Sequence, residues 1–237
     1  IVVCKVTPAP SGVPQKHIVN IYTYDAEHFG EQSIHIKRLF HKYKCQIAVV
    51  DANGLGSGLV DWLILDQDDP DTGEALGALG VYNDDDGTYK RFTQQADYPL
   101  PNSLYLMKAN ASINTELYSY CQTQMSSGKL RFLIDENTAK NKFMSQNQYK
   151  RLSKARRAEY LRPYVMTSIL EDQMANLTQD NTDGMNIILK QNNRTIKKDK
   201  FSALIYALSW PKSIEDRGGR KRARSVRDLM FFSHLGN

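Results

Sequence analysis

The hydrophobic pattern opens with two β-type segments. Residues 1–6 form a β-branched run, and residues 17–24 alternate apolar with polar side chains. A connection containing proline, serine and glycine runs between them through Pro14, which is typical of a chain reversal. The pattern therefore predicts an antiparallel hairpin over residues 1–7 and 17–24. A helix is expected next, over about residues 31–43, where apolar residues recur at helical spacing.

The clearest chemical signal follows that helix. Residues 46–50 are apolar after their first position, as in a strand that is covered on both faces, and the strand ends at Asp51. A glycine-rich turn and a helix beginning near Leu59 complete a strand–turn–helix unit. Residues 66–110 then form an acidic loop or hairpin excursion, which includes strand-like stretches at 79–82 and 104–108.

The second half of the chain alternates helical and strand-like patterns. The expected elements are a helix over 111–125, a strand over 130–134 ending at Asp135, a long helix over 148–177 that Pro163 kinks or breaks, a strand over 185–189, and a helix over 200–210 that Pro211 ends. These patterns predict an α/β fold with one domain over residues 1–211. Residues 212–237 are expected to form a basic, flexible tail.

Composition and charge narrow the class of protein. Hydrophobic residues make up 41% and charged residues 24% of the chain, as in ordinary globular proteins. No apolar run is long enough to span a bilayer and no signal peptide is recognisable, so we expect a cytosolic protein with no membrane partner. The three cysteines form no CxxC pair, which argues against a disulfide framework or a zinc site.

Basic residues are concentrated in particular segments. The formal net charge is +5, which permits nucleic-acid binding without demonstrating it. Bases crowd into residues 150–162, 194–200 and 217–227, whereas acids crowd into residues 66–86. These segments therefore predict separate surfaces on which DNA phosphates could bind.

Asp51 is the first candidate for catalysis. An Asp at the carboxyl end of a buried strand, before a glycine-rich turn, lies where α/β sheets usually hold ligands. Asp is also a favoured N-cap, so capping of the next helix explains the same residue equally well on position alone. The GLGSG turn lacks the Lys-Ser/Thr ending of a phosphate-binding P-loop.

Two segments carry a resemblance to a known family. Residues 49–63, VVDANGLGSGLVDWL, resemble the second-acid segment of the nuclease domains of large terminase subunits from tailed bacteriophages. Residues 198–208, KDKFSALIYAL, are similar to the last motif of that family, in which an Asp begins a helix. The resemblance follows the element order from residue 1 to about 210, but only these two segments match residue by residue.

The resemblance implies a fold and a reaction. It implies an RNase H-like mixed β-sheet flanked by helices, and a viral DNA-packaging endonuclease that cuts concatemeric double-stranded DNA. Two Mg²⁺ or Mn²⁺ ions would be held by carboxylates including Asp51 and Asp199, which are the expected catalytic residues. Helix-start stabilisation is the structural alternative for Asp199.

The family also implies partners and a location. Double-stranded DNA, the portal or procapsid and a small terminase subunit are the expected partners, in the cytoplasm of the host cell. A motor ATPase domain is expected upstream in the same polypeptide. A Holliday-junction resolvase or transposase-type nuclease is the alternative enzyme, and a non-catalytic DNA- or portal-docking module is the alternative without catalysis.

The match to the family lacks one strand. In the family the first catalytic Asp lies on a central strand that precedes a hairpin like the one expected at residues 1–24, and this sequence has no counterpart. We therefore expect the sequence to be a fragment, with a gap between the hairpin and the Asp51 strand. Asp25 is a weakly placed substitute for the missing acid.

Other residues are secondary candidates. Asp183 and Asp61 could be further metal ligands. The structural alternatives are that Asp183 is a turn residue and that Asp61 is a solvated or capping residue. Two basic groups are expected to contact DNA phosphates, and for the second a solvated helix face is the alternative. The first group is Arg194, Lys197 and Lys198, and the second is Lys150, Arg151 and Lys154.

Overall fold

The protein has a mixed α/β architecture in which helices pack on several small sheets. The computed structural model describes residues 1–8, 13–24, 28–54, 56–90, 92, 100–182 and 186–232, with the backbone alone for 181–182 and 219–232. Within these ranges, none of the helices combines the length and apolar character needed to cross a bilayer.

The elements of the described residues follow in chain order. The strands are β1 (Val2–Thr7), β2 (Gln15–Ile21), β3 (Ala48–Asp51), β4 (Gln67–Asp68), β5 (Ala75–Leu76), β6 (Gly80–Val81), β7 (Asn102–Met107), β8 (Leu130–Arg131), β9 (Leu177–Thr182) and β10 (Asn186–Gln191). The helices are α1 (Phe29–Lys42), α2 (Gly56–Leu63), α3 (Ala111–Ser126), α4 (Glu136–Met144), α5 (Asn147–Lys150), α6 (Lys154–Ala175) and α7 (Asp199–Phe232).

The first sheet has the order β1-β2-β8. Strands β1 and β2 are antiparallel, with Val2 opposite Ile21, which confirms the predicted hairpin. Strand β8 pairs with β2 in parallel but is much shorter than the strand predicted over residues 130–134. It ends early because Asp135 caps α4, accepting a hydrogen bond from the Thr138 backbone N–H at 2.9 Å.

The second sheet has the order β3-β7-β6, and all its strands are parallel. Strand β3 has Asp51 as its last residue, as predicted, and α1 and α2 flank it in sequence. Two of these strands, β6 and β7, lie in the segment that sequence reasoning placed in an acidic excursion. Both strand-like stretches predicted in that segment therefore belong to the second sheet, while β4 and β5 form a separate hairpin.

A break separates the two sheets. Strands β1 and β3 belong to different sheets, and no backbone hydrogen bond joins them within the described residues. One helix nevertheless packs on both strands, because Leu204 and Leu208 of α7 share a core with residues of β1 and β3. The hairpin and the Asp51 strand therefore lie in separate sheets that share the α7 helix.

Pro163 and Pro211 both lie inside helices, and the helix end predicted at Pro211 was wrong. Pro163 lies inside α6, which runs from Lys154 to Ala175, and the Thr167 hydroxyl bonds the Pro163 carbonyl at 2.9 Å. Pro211 lies inside α7, which continues to Phe232. The predicted flexible tail is thus largely helical in its backbone. A proline removes one N–H from a helix, and packing on either side compensates for that loss.

A second hairpin lies between α6 and α7. Strand β10 confirms the strand predicted over residues 185–189, whereas β9 covers residues that the pattern assigned to the end of the preceding helix and the turn after it. Asn176 ends α6 and receives the N–H of Asn193 on its side-chain oxygen at 2.8 Å. The hairpin therefore returns the chain to the end of α6, directly before α7 begins.

Candidate active site

The turn after β3 holds Asp51 at the carboxyl edge of the parallel sheet. The Asp51 carboxylate is exposed and accepts a hydrogen bond from the Asn53 backbone N–H at 3.0 Å. The Asn53 side chain donates in turn to the Ala109 carbonyl at 3.0 Å, which ties the turn to the chain after β7. Because α2 begins only at Gly56, Asp51 stabilises a turn rather than capping that helix directly.

The glycines of the turn have packing explanations. Gly54 has a positive φ of 55°, a conformation that strains other residues. The Gly56 backbone lies against the Asp51 carbonyl, and the Phe29 ring occupies the space beside Gly58. Backbone conformation at Gly54, close backbone approach at Gly56 and the Phe29 ring at Gly58 therefore account for these glycines without a bound phosphate.

Asp199 begins α7 and is exposed. The side-chain oxygen of Gln173, on α6, accepts the N–H groups of Lys200 at 3.0 Å and Phe201 at 3.2 Å. Gln173 thus caps the start of α7. Asp199 lies at the N-terminus of α7, where the positive end of the helix dipole stabilises an anion.

Tyr206, on α7, is a residue that sequence reasoning missed. Burial raises the pKa of Tyr206, and the nearby Asp51 charge raises it further. Tyr206 follows Asp199 by two helical turns, about 10 Å along the axis, on the same helix face. The spacing of 199 and 206 was the sequence signal that could have identified this residue.

The remaining acidic candidates lie elsewhere or outside the described residues. Asp183 and the substitute Asp25 fall outside them. Asp61 is exposed on α2, and its charge raises the pKa of Tyr89, where burial has the larger effect. The described part of the chain contains no group of three or more His, Cys, Asp or Glu side chains placed to hold a metal ion.

A further acidic loop shares the edge with Asp51. Asn83, directly after β6, bonds both the N–H and the carbonyl of Leu106 at 2.8 Å. The following Asp84 and Asp86 therefore lie beside the end of β7, and Lys108 approaches Asp86 at 3.6 Å. Hydrogen bonds from the Thr88 hydroxyl and N–H lower the pKa of Asp86 to about 2. Sequence reasoning had placed this loop within the acidic excursion of residues 66–110 and not at the edge that carries Asp51.

The basic segment before and within α6 divides into two kinds of residue. Arg157 donates to the carbonyls of Leu152 at 2.9 Å and Lys150 at 3.0 Å, so it holds the local fold. The side chains predicted to contact phosphates are exposed; they are Lys150, Arg151 and Lys154.

The first predicted basic group, Arg194, Lys197 and Lys198, precedes α7. Arg194 and Lys197 are exposed and Lys198 is half-buried, in the loop between β10 and Asp199. Lys197 lines an open depression together with Gln173, the residue that caps α7. These cations therefore lie close in sequence and space to the helix start that carries Asp199.

Comparison with known proteins identified no relative. The chain matches no family model, no curated protein and no solved structure.

Proposed function

We propose that this chain is the RNase H-like nuclease domain of a viral DNA-packaging terminase, a metal-dependent endonuclease that cuts concatemeric double-stranded DNA. The observation that carries the proposal is the packing of α7, which begins at Asp199, against β3, which ends at Asp51. Burial raises the pKa of Tyr206, on α7, and the Asp51 charge raises it further. We propose that these two acids, about 150 residues apart in sequence, share one edge of the sheet.

The chemistry of the side chains fits divalent cations. Asp51 and Asp199 are exposed carboxylates, and Mg²⁺ and Mn²⁺ prefer oxygen ligands of this kind. When bound, two such ions activate water and stabilise the leaving oxygen in phosphodiester hydrolysis. In this proposal Lys198 and Arg194 hold the scissile phosphate, and the exposed bases before α6 hold the duplex farther away.

The break between β1 and β3 supports the RNase H-like form of the proposal. In the family a further strand, which carries the first catalytic acid, would join two such sheets into one. Helix α7 packs on both β1 and β3, as that arrangement requires.

Manganese binding and plasmid cleavage test the proposal together. We expect Mn²⁺, followed by the electron paramagnetic resonance of the free ion, to bind the wild-type chain. Asp51→Asn and Asp199→Asn should weaken binding by ~100-fold or more, because each removes a direct ligand. Asp68→Asn, at an exposed carboxylate in β4, is the matched control and should bind as wild type does.

Cleavage of supercoiled plasmid should require Mn²⁺ or Mg²⁺ and should fail in the same two variants. Wild-type affinity for Mn²⁺ in both variants would refute the assignment. Preferential cutting of four-way junctions over plain duplex would instead favour the resolvase alternative.

A further inference from the structure

Three basic residues lie side by side across the first sheet, and we propose that they bind the phosphate group of a ligand. They are Lys5 on β1, His17 on β2 and Arg131 on β8, and are called the cation row below. The ligand class is a phosphate ion or a phosphate ester. The cation row is separate from Asp51, which belongs to the second sheet.

Strand pairing places the three residues next to one another. Lys5 is opposite His17 in the antiparallel pair of β1 and β2, and His17 is opposite Arg131 in the parallel pair of β2 and β8. Opposite residues of neighbouring strands point to the same face of a sheet, and the strands are about 4.8 Å apart. Lys16 and Ile18, on either side of His17, are buried. The cation row therefore lies on the other face of β2.

A cavity of about 250 Å³ opens beside the cation row, and all three cations line it. A bulge in β2 lies at this cavity. Val3 pairs with Asn20 and Cys4 pairs with Ile18, so Val19 has no partner on β1. A bulge bends its strand and increases the local twist, and Val19 itself lines the cavity. The concave shape therefore has a cause in the strand register.

The positive charge at this cavity is not balanced by an acid in the part of the chain that the structure describes. None of the carboxylates there forms an ion pair with Lys5, His17 or Arg131. Arg131 donates from Nε to the Gly128 carbonyl at 3.5 Å, which is long for a hydrogen bond. A cavity lined by charge of one sign concentrates ions of the opposite sign. The cavity therefore favours an anion.

The donors of the cation row suit a tetrahedral oxyanion. The Nη groups of Arg131 make no hydrogen bond to the described residues, and they can contact two oxygens of one phosphate in parallel. The Lys5 ammonium and an N–H of the His17 ring supply donors from the other two strands. A phosphate group carries about two negative charges near neutral pH and directs its oxygens to several sides. It can therefore use all three donors, whereas a planar carboxylate can use fewer.

Two further residues of the lining suit the rest of a phosphate ester. Thr7 follows Lys5 by two strand positions, so its hydroxyl lies on the same face as the cation row. Phe132 is half-buried, packs on the core and also lines the cavity, which gives it an apolar wall. A phosphate ion has only a few heavy atoms, so the cavity has room for part of an organic group beside it.

Isothermal titration calorimetry with inorganic phosphate tests the site on the whole chain, in EDTA and at an ionic strength held constant with chloride. Wild type should bind phosphate saturably. Arg131→Gln and Lys5→Gln should each weaken binding by ~10- to 100-fold, the effect of losing one charged hydrogen-bond donor. Lys140→Gln removes the same charge from an exposed position on α4, outside the cavity. It is the matched control and should bind as wild type does.

Competition against inorganic phosphate distinguishes two sources of the phosphate group. Glycerol phosphate represents small phosphate esters, and a 5′-phosphorylated oligothymidine represents nucleic acid. Competition by glycerol phosphate alone would assign the site to small esters. Competition by the oligonucleotide at a lower concentration would assign it to nucleic acid. Either result supports a phosphate site, provided that the two glutamine variants lose it.

Thermal unfolding shows that a loss of binding is not a loss of folding. Lys5 and Arg131 are exposed, so both glutamine variants should melt as wild type does in phosphate-free buffer. Phosphate should raise the melting temperature of wild type and leave that of the variants unchanged. Equal phosphate affinity in wild type and both variants, an equal loss in Lys140→Gln, or no saturable binding by wild type would overturn the proposal. The measurement is free of metal, so a failure of Mn²⁺ binding at Asp51 does not affect it.

Discussion

The main-chain carbonyl oxygen of Asp51 lies 1.8 Å from the position that a Cβ atom at Gly56 would occupy. Real Cβ atoms do not approach a backbone oxygen so closely, so any side chain at residue 56 must displace the turn. The glycine is therefore required by the position of Asp51 and not by a ligand.

Gly56→Ala should destabilise the protein by about 1–3 kcal/mol, the usual cost of forcing an atom into a packed site. Urea unfolding followed by circular dichroism measures the change. Gly218→Ala is the matched control, because Gly218 lies in α7 with open space around its Cβ position. That substitution should be neutral or stabilising. Equal stability of Gly56→Ala and wild type would contradict the geometry of the turn.

A buried ion pair holds the part of α7 beyond Pro211. Lys16 of β2 is fully buried, forms a salt bridge with Glu215 and donates to the Gln124 side chain at 2.8 Å. Glu215→Ala should cost about 2–4 kcal/mol, because it leaves a buried ammonium without its anion. Thermal or urea unfolding measures the loss.

The exposed pair on the same helix is the control for this prediction. Lys212 and Asp216 approach at 2.8 Å, with the carboxylate 53% exposed. Asp216→Ala should cost less than about 1 kcal/mol, since solvent screens exposed pairs. A Glu215→Ala cost no larger than that of Asp216→Ala would show that the buried pair does not anchor the helix.

Because of Lys37, the free energy of unfolding should increase as the pH rises into the alkaline range. It is fully buried and donates to the Leu65 and Leu76 carbonyls, and burial lowers its pKa from 10.5 to about 8. Between these two pKa values the unfolded chain binds more protons at this residue than the folded chain does. Its contribution to stability is therefore least favourable below pH 8 and rises with pH, by at most ~1.4 kcal/mol per pH unit.

The comparison with Lys37→Met isolates this effect. Burial raises the pKa of Cys4 and of Cys121 to about 11, so both oppose the rise at alkaline pH, but they are present in both proteins. The stability of wild type relative to Lys37→Met should increase from pH 8 to pH 10. Parallel curves for the two proteins would disprove the assignment of the lowered pKa to Lys37.

Hydrogen exchange should reveal the break beside β3. The Ala52 N–H donates to the Met107 carbonyl, so by strand alternation Val50 also faces β7, while Val49 and Asp51 face the break. The amides of Val49 and Asp51 should exchange faster than that of Val50, which nuclear magnetic resonance can resolve residue by residue. Equal protection of Val49 and Val50 would mean that another segment already fills the break.

The local patterns were sufficient to predict the elements around Asp51. Alternation predicted the β1–β2 hairpin, and a short apolar run before Asp51 predicted β3, because these signals depend only on which side chains a strand buries. The same reasoning placed Asp199 at a helix start, as observed. Whether Asp51 and Asp199 bind metal stays a prediction.

Long-range contacts explain what sequence patterns did not predict. Pro211 indicates a helix end locally, but α7 continues because Glu215 pairs with Lys16, which lies 199 residues away. Lys16 itself occupies a polar position of an alternating strand and is nevertheless buried. The capping of α7 by Gln173 could not be predicted from the sequence either. The residues at a helix start do not show that a side chain of another helix accepts their N–H groups.

The break between β1 and β3 also affects how the chain behaves in concentrated solution. Each strand presents backbone N–H and carbonyl groups along one side, and such edges pair readily with any extended peptide. Within the part of the chain that the structure describes, no strand pairs with these sides of β1 and β3, and two copies of the chain would satisfy the groups by pairing their strands with each other. A peptide that pairs with the same edges should reduce such association, which light scattering measures.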